Sequence, residues 1–132
     1  MTNSGEIAAR ILSELEEAHE EDVTTLINTV MTVSGEQQEL EAFSAALLLL
    51  AESDFVRIAY EETSKKSERQ SHELSLIIIK ALTESLVFDN REDIWSWDDA
   101  KPQPYVMTTD AGLDQARRIL DERGYQWWIR PT

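Results

Sequence analysis

The stretch from Glu36 to Glu52 constrains this chain more than any other. It is rich in Ala and Leu and is apolar over much of its circumference through Leu40, Phe43, Leu47, Leu48, Leu49 and Leu50. A helix with so little polar surface has to be surrounded, so the remaining segments must supply layers that wrap it. Ser34-Gly35-Glu36-Gln37 precedes it with the Ser-x-x-Gln form of a capping box. A chain of 132 residues, 42% hydrophobic and with only four Gly and three Pro, is long enough for one such core and is not the composition of a disordered polymer.

Upstream, Ile7, Ala8, Ile11, Leu12, Leu15 and Ala18 recur at three-four spacing and predict a first helix, capped by Asn3 or Ser4. Its opposite face is acidic, and Glu14, Glu16, Glu17, Glu20, Glu21 and Asp22 form a carboxylate-dense end. Asp22 is placed to cap a second, short helix carrying Val23, Leu26, Ile27, Val30 and Met31. After Ser53-Asp54 the period falls to two, with Val56, Ile58 and Tyr60 alternating against Arg57, Ala59 and Glu61 as in a strand. Thr63 to Ser71 reads as a polar connection. His72 to Leu86 reads as a helix with Leu74, Ile77, Ile78, Ala81 and Leu82 on one face, because the periodic segment exceeds strand length.

Leu86-Val87-Phe88 and Ile94-Trp95-Ser96-Trp97 flank the turn-prone residues Asp89 to Asp93, which predicts a hairpin or two irregular extended pieces. Beyond Pro102-Gln103-Pro104, Tyr105-Val106-Met107 is a short strand leading to a helix capped by Thr108 or Thr109 and stopped by Gly124. Asp110 and Asp114 near that helix's start and Arg117, Arg118 and Arg123 near its end suit the peptide dipole. Tyr125 to Arg130 alternates like a terminal edge strand.

Three helices, a strand, an intervening segment, another strand and a closing helix form an order similar to that of winged-helix domains. Tyr105-Val106-Met107-Thr108-Thr109-Asp110-Ala111-Gly112-Leu113 resembles the last wing strand turning into the C-terminal helix of winged-helix regulators. It departs from the Leu-Thr-x-x-Gly form by one extra residue, and residues 63–104 are far longer than an ordinary wing. The resemblance implies a mainly helical α+β fold, one domain over residues 1–132, with an enlarged insertion between the wing strands. An acidic three-helix part would span 1–54 and a strand-and-helix part 55–132. It further implies that Glu36 to Glu52 stands where a helix enters the DNA major groove. Gln37 and Gln38 would then be its base-reading groups and Lys65, Lys66 and Arg69 a basic wing, in a regulator acting as a dimer.

Charge argues against that function. Residues 1–54 hold twelve acids and a single base, Arg10, while residues 55–132 hold fourteen acids and eleven bases, so −11 of the net −14 lies in the first part. Phosphates repel such a surface, and the major-groove candidate contains no Lys or Arg. A basic protein would be attracted by it, unless the acids serve solubility alone.

Little in the sequence points to catalysis. There is no Cys, His19 and His72 lie outside any metal or triad spacing, the four glycines are isolated, and the serines lack a nucleophile-elbow context. No cofactor is implied. No basic start precedes an apolar core as in a secretory signal, and the longest apolar stretch, Ala45 to Ala51, is far short of a membrane span, so a cytoplasmic chain without membrane contact is expected.

All four indoles fall in the second half. In extended segments each pair, Trp95 with Trp97 and Trp127 with Trp128, is expected to put one ring inward and one outward, with Trp128 the best exposed candidate and a possible homodimer contact through the terminal strand. Packing as a satellite core is the competing reading. The resulting expectation is a noncatalytic acidic protein of inhibitor or immunity type that covers a nucleic-acid-binding surface by imitating phosphate charge. Glu16, Glu17, Glu20 and Glu21 would steer a basic partner, and Trp95, Trp97 and Trp128 would supply contact area.

Overall fold

The apolar circumference of Glu36 to Glu52 is answered by packing on several sides in the computed structural model, which describes residues 4–60 and 68–128. Five helices and two small antiparallel sheets are formed by the described residues. They are α1 (Ser4–Ala18), β1 (Glu20–Asp22), α2 (Val23–Val30), α3 (Gln37–Glu52), β2 (Val56–Ala59), α4 (Glu68–Ser85), β3 (Leu86–Asp89), β4 (Ile94–Trp97), β5 (Tyr105–Thr108) and α5 (Asp110–Arg123). On α3, Phe43, Ala46, Leu47 and Ala51 are completely buried, with α1 on one flank and α4 on another. Burying side chains of the size of Phe43 or Leu47 stabilises the fold by roughly 1.5–3 kcal/mol each. Leu49, on the remaining side, is 47% exposed.

The main sheet has the order β1-β5-β2, all antiparallel, with Glu21 opposite Val106 and Ile58 opposite Val106 on its other side. The outer edge of β2 is closed by the first half of α4. The Ser75 hydroxyl accepts from Ile58 N–H at 2.8 Å, and its own hydrogen lies between the Ser71 carbonyl at 2.7 Å and the Ile58 carbonyl at 3.2 Å, so one buried side chain meets the polar edge of β2. This contact sets the rotation of α4. Ser75, Ile78, Ile79 and Leu82 face the core, whereas Ile77 is 65% exposed and Ala81 is also exposed, so the stripe expected through Ile77 and Ala81 is turned by about one residue. The helix also begins earlier than the sequence suggests, placing Arg69 in its first turn and not in a loop.

β3 and β4 pair as a separate hairpin, Phe88 opposite Trp95. It docks on α2 through Asn28, whose side-chain amide accepts from Trp95 N–H and donates to the Trp95 carbonyl, both at 2.9 Å, as a neighbouring strand would. The expected Ser34–Gln37 capping box does not form. Glu36 is the N-cap without a side-chain bond, and Glu39 instead reaches back to accept from Ser34 N–H at 2.9 Å and Gly35 N–H at 3.4 Å. Gly35 has φ +78°, and the Phe88 ring lies 2.7 Å from where a Cβ would stand, so glycine is required there for both backbone and space.

Two other termini follow sequence logic. Asp22 caps α2 by accepting from Thr25 N–H at 2.7 Å, and Thr109 caps α5 through Gly112 N–H at 3.0 Å. Burial works to raise the Asp22 pKa, but hydrogen bonds from Thr25 and Thr24 outweigh it and hold this carboxyl below the usual range. Among the described residues no helix is long and apolar enough to cross a membrane.

Candidate functional site

α1 ends where His19 adopts φ +67°, and the chain then pairs with β5 through Glu20–Asp22. The carboxylates expected along one helical face are therefore divided. Glu16 and Glu17 belong to the last turn of α1, while Glu20 and Glu21 sit on an edge strand because the open side of β5 recruits them. Glu20 borders a wide surface hollow of about 570 Å³ with Glu17, His19, Thr108 and Asp110.

A smaller and more enclosed pocket, of about 110 Å³, is lined by Ser13, Glu14, Glu16, Glu17, Leu120, Tyr125 and Trp128. α1 supplies its acidic wall and α5 its apolar floor. The aromatic side comes from the chain beyond Gly124, which turns back at φ +89° onto α1. Over Tyr125 to Trp128 this turn stands in place of the strand expected from the alternation, whose last residues, Ile129 and Arg130, lie outside the described residues. Trp127 N–H bonds to Gly124 O at 3.2 Å, and the Trp127 indole donates at 3.1 Å to Ser13 Oγ, itself bonded to Ala9 O. Two cations brace the rings, with the Arg123 guanidinium 4.6 Å from the Trp127 ring centre and that of Arg10 5.9 Å from Trp128.

Three of the residues singled out from sequence, Glu16, Glu17 and Trp128, thus meet in one pocket. Trp128 is half-buried and packs against the core, so it does not stand free on a strand as expected. Glu14 was missed. It is only 6% exposed, contrary to its placement on a solvated face, and the seven-residue step from Ile7 to Glu14 was the available signal because it keeps Glu14 beside the buried stripe. Tyr125, 68% exposed, was read only as part of a strand.

The other candidates lie elsewhere. Trp95 is 4% exposed, its indole donates to buried Glu39, and Phe88 meets its ring edge to face at 5.5 Å, so it is a core residue and not contact area. Trp97, two residues on and hence on the same strand face, is half-buried and donates to the Lys101 carbonyl at 3.0 Å. Neither pair divides into one inward and one outward ring, since Trp127 and Trp128 are both half-buried. Gln37 and Gln38 are exposed in the first turn of α3. Lys65 and Lys66 lie outside the described residues.

The crowding of charge at the amino-terminal end is partly relieved. α5 lies along α1 and brings Arg117 to 3.9 Å from Glu16 and Arg123 to 3.2 Å from Glu6. Pairs as exposed as these contribute little to stability, but they dilute the negative field. Carboxylates beside two aromatic side chains in a space the size of one side-chain end suit a single cationic head group. The chain matches no protein-family model, no curated protein and no solved structure with which it was compared.

Proposed function

We propose that this protein is a noncatalytic binding module on a winged-helix-like scaffold, which docks a basic protein by receiving a Lys or Arg head group in the acidic and aromatic pocket. The element order α1-β1-α2-α3-β2, then β5-α5, with the sheet order β1-β5-β2, supports the scaffold reading, α4, β3 and β4 forming the insertion between the two wing strands. The observation that carries the function is the meeting of Glu14, Glu16 and Glu17 with Tyr125 and Trp128 around one enclosed space. Cation–π contacts at a site this exposed contribute about 0.5–1 kcal/mol and carboxylates add steering. DNA reading through α3 is disfavoured because that helix holds no Lys or Arg and α4 packs along it.

A ¹⁵N-edited NMR titration with a short peptide of alternating Gly and Lys tests the pocket. Saturable shifts are expected at the Trp128 indole N–H and the Tyr125 backbone, weakened about tenfold by Glu16→Gln plus Glu17→Gln, which corresponds to about 1.4 kcal/mol. An equal response to the same peptide with norleucine in place of Lys contradicts the reading.

A further inference from the structure

The two edges of the main sheet differ. At β2 the outward backbone groups of Ile58 meet Ser75 of α4, whereas at β1 no described residue hydrogen-bonds to the outer edge. The register fixes which groups point outward there. Thr108 N–H donates to His19 O at 3.1 Å and Val23 N–H to Pro104 O at 3.4 Å, so His19, Glu21 and Val23 turn their backbone groups toward β5. Glu20 and Asp22, between them, turn theirs the other way. Glu20 is exposed, and its N–H and C=O have no partner among the described residues. A donor and acceptor side by side on an edge are a template for one more strand.

The side chains decide which strand that is. Glu20 and Asp22 stand on one face of β1 and Glu21 on the other. Met107, opposite Glu20, lies with it in the hollow of about 570 Å³ that Glu17 and Asp110 also border. A second copy of β1 would set carboxylate against carboxylate, and like charges directly opposite repel. A Lys or Arg opposite Glu20 would place its head group over the same acidic hollow. We propose that β1 receives an extended basic segment as a fourth strand of the main sheet, with Lys or Arg opposite Glu20 and backbone bonds to the Glu20 N–H and C=O. This strand pairing rests on the reading of a basic partner and adds to it the path of that partner's main chain. Glu17 borders both the hollow and the enclosed pocket, so one partner can reach both.

Amide-detected NMR of the full chain with a short peptide of alternating Thr and Lys is the test. Saturable shifts are expected at the Glu20 and Asp22 amides, with hydrogen exchange at Glu20 slowed about tenfold. N-methylation of the backbone nitrogens of the peptide's Lys residues keeps every charge and removes the donors that face β1, so binding should weaken about tenfold. N-methylation at the Thr residues, whose nitrogens face solvent, should leave it unchanged. Equal binding of the Lys-methylated and unmodified peptides, or saturation without a response at Glu20, overturns the strand pairing. Saturation confined to the Trp128 indole overturns it and leaves the pocket reading standing, whereas a response at Glu20 with none at Trp128 supports the added strand and overturns the pocket. Absence of saturation anywhere overturns both. Every arm uses the unaltered protein.

Discussion

Glu39→Ala is expected to lower stability by about 3–5 kcal/mol and to loosen the β3–β4 hairpin from the body of the protein. The Glu39 carboxylate is 8% exposed and accepts from Ser34 N–H, Ser34 Oγ at 3.2 Å, Gly35 N–H and the Trp95 indole. Alanine leaves the buried Trp95 indole N–H facing a gap, at about 1–3 kcal/mol for the orphan, and removes the tie to the exposed Ser34 and half-buried Gly35, whose donors can turn to water. The Trp95 indole cannot turn to water without pulling its ring out from between Phe88 and α2. Urea denaturation measures the loss, and red-shifted tryptophan emission under native conditions reports the undocked hairpin. Trp95→Phe keeps the ring contact and should lose less. A loss below 1 kcal/mol for Glu39→Ala would mean that the Asn28 bonds and the apolar contacts hold the hairpin without the Glu39 carboxylate.

Gly112→Ala is the second large effect, and its sign opposes helix propensity. Alanine in a helix is favoured over glycine by about 1 kcal/mol. Here a Cβ would stand 1.9 Å from the Phe55 carbonyl oxygen and 2.8 Å from its carbon, atoms of backbone that cannot rotate aside. The same oxygen accepts from Thr109 N–H at 3.0 Å, so pushing α5 away also breaks its N-terminal attachment to the start of β2. A loss of about 3 kcal/mol or more is expected in thermal unfolding, at or beyond the upper end of ordinary overpacking. Ala111→Gly, at the exposed neighbouring position, should cost about 1 kcal/mol. Because α5 contributes Leu120 to the acidic pocket, Gly112→Ala should also weaken cation binding there.

The fold was legible wherever the signal was local. The apolar periodicity of α1 to α3, the Asp22 and Thr109 caps, the alternation at Val56–Ile58, the 86–97 hairpin and the Gly124 stop all depend on residues within one turn of each other. What escaped depends on distant partners. Ser75 is a polar residue at a core position, and only the unpaired edge of Ile58 explains why α4 turns it inward. Glu20 and Glu21 continue an acidic helical run by composition, yet β5, more than eighty residues later, takes them as a strand. Trp95 has the same local context as an exposed aromatic, and its burial follows from an acceptor 56 positions away. The candidate site was legible as acids and tryptophans but not as a pocket, because it needs the turn after Gly124 to fold back on α1.

Fluorescence anisotropy at low ionic strength, with a labelled Lys-rich peptide and a labelled DNA duplex each titrated with the full chain, sets the two possible partners directly against each other. The peptide should bind, more weakly as salt is added and about tenfold more weakly to Trp128→Ala, while the duplex leaves the signal flat. Duplex binding that disappears with Lys65→Glu plus Lys66→Glu, together with a peptide indifferent to Trp128→Ala, would contradict the account.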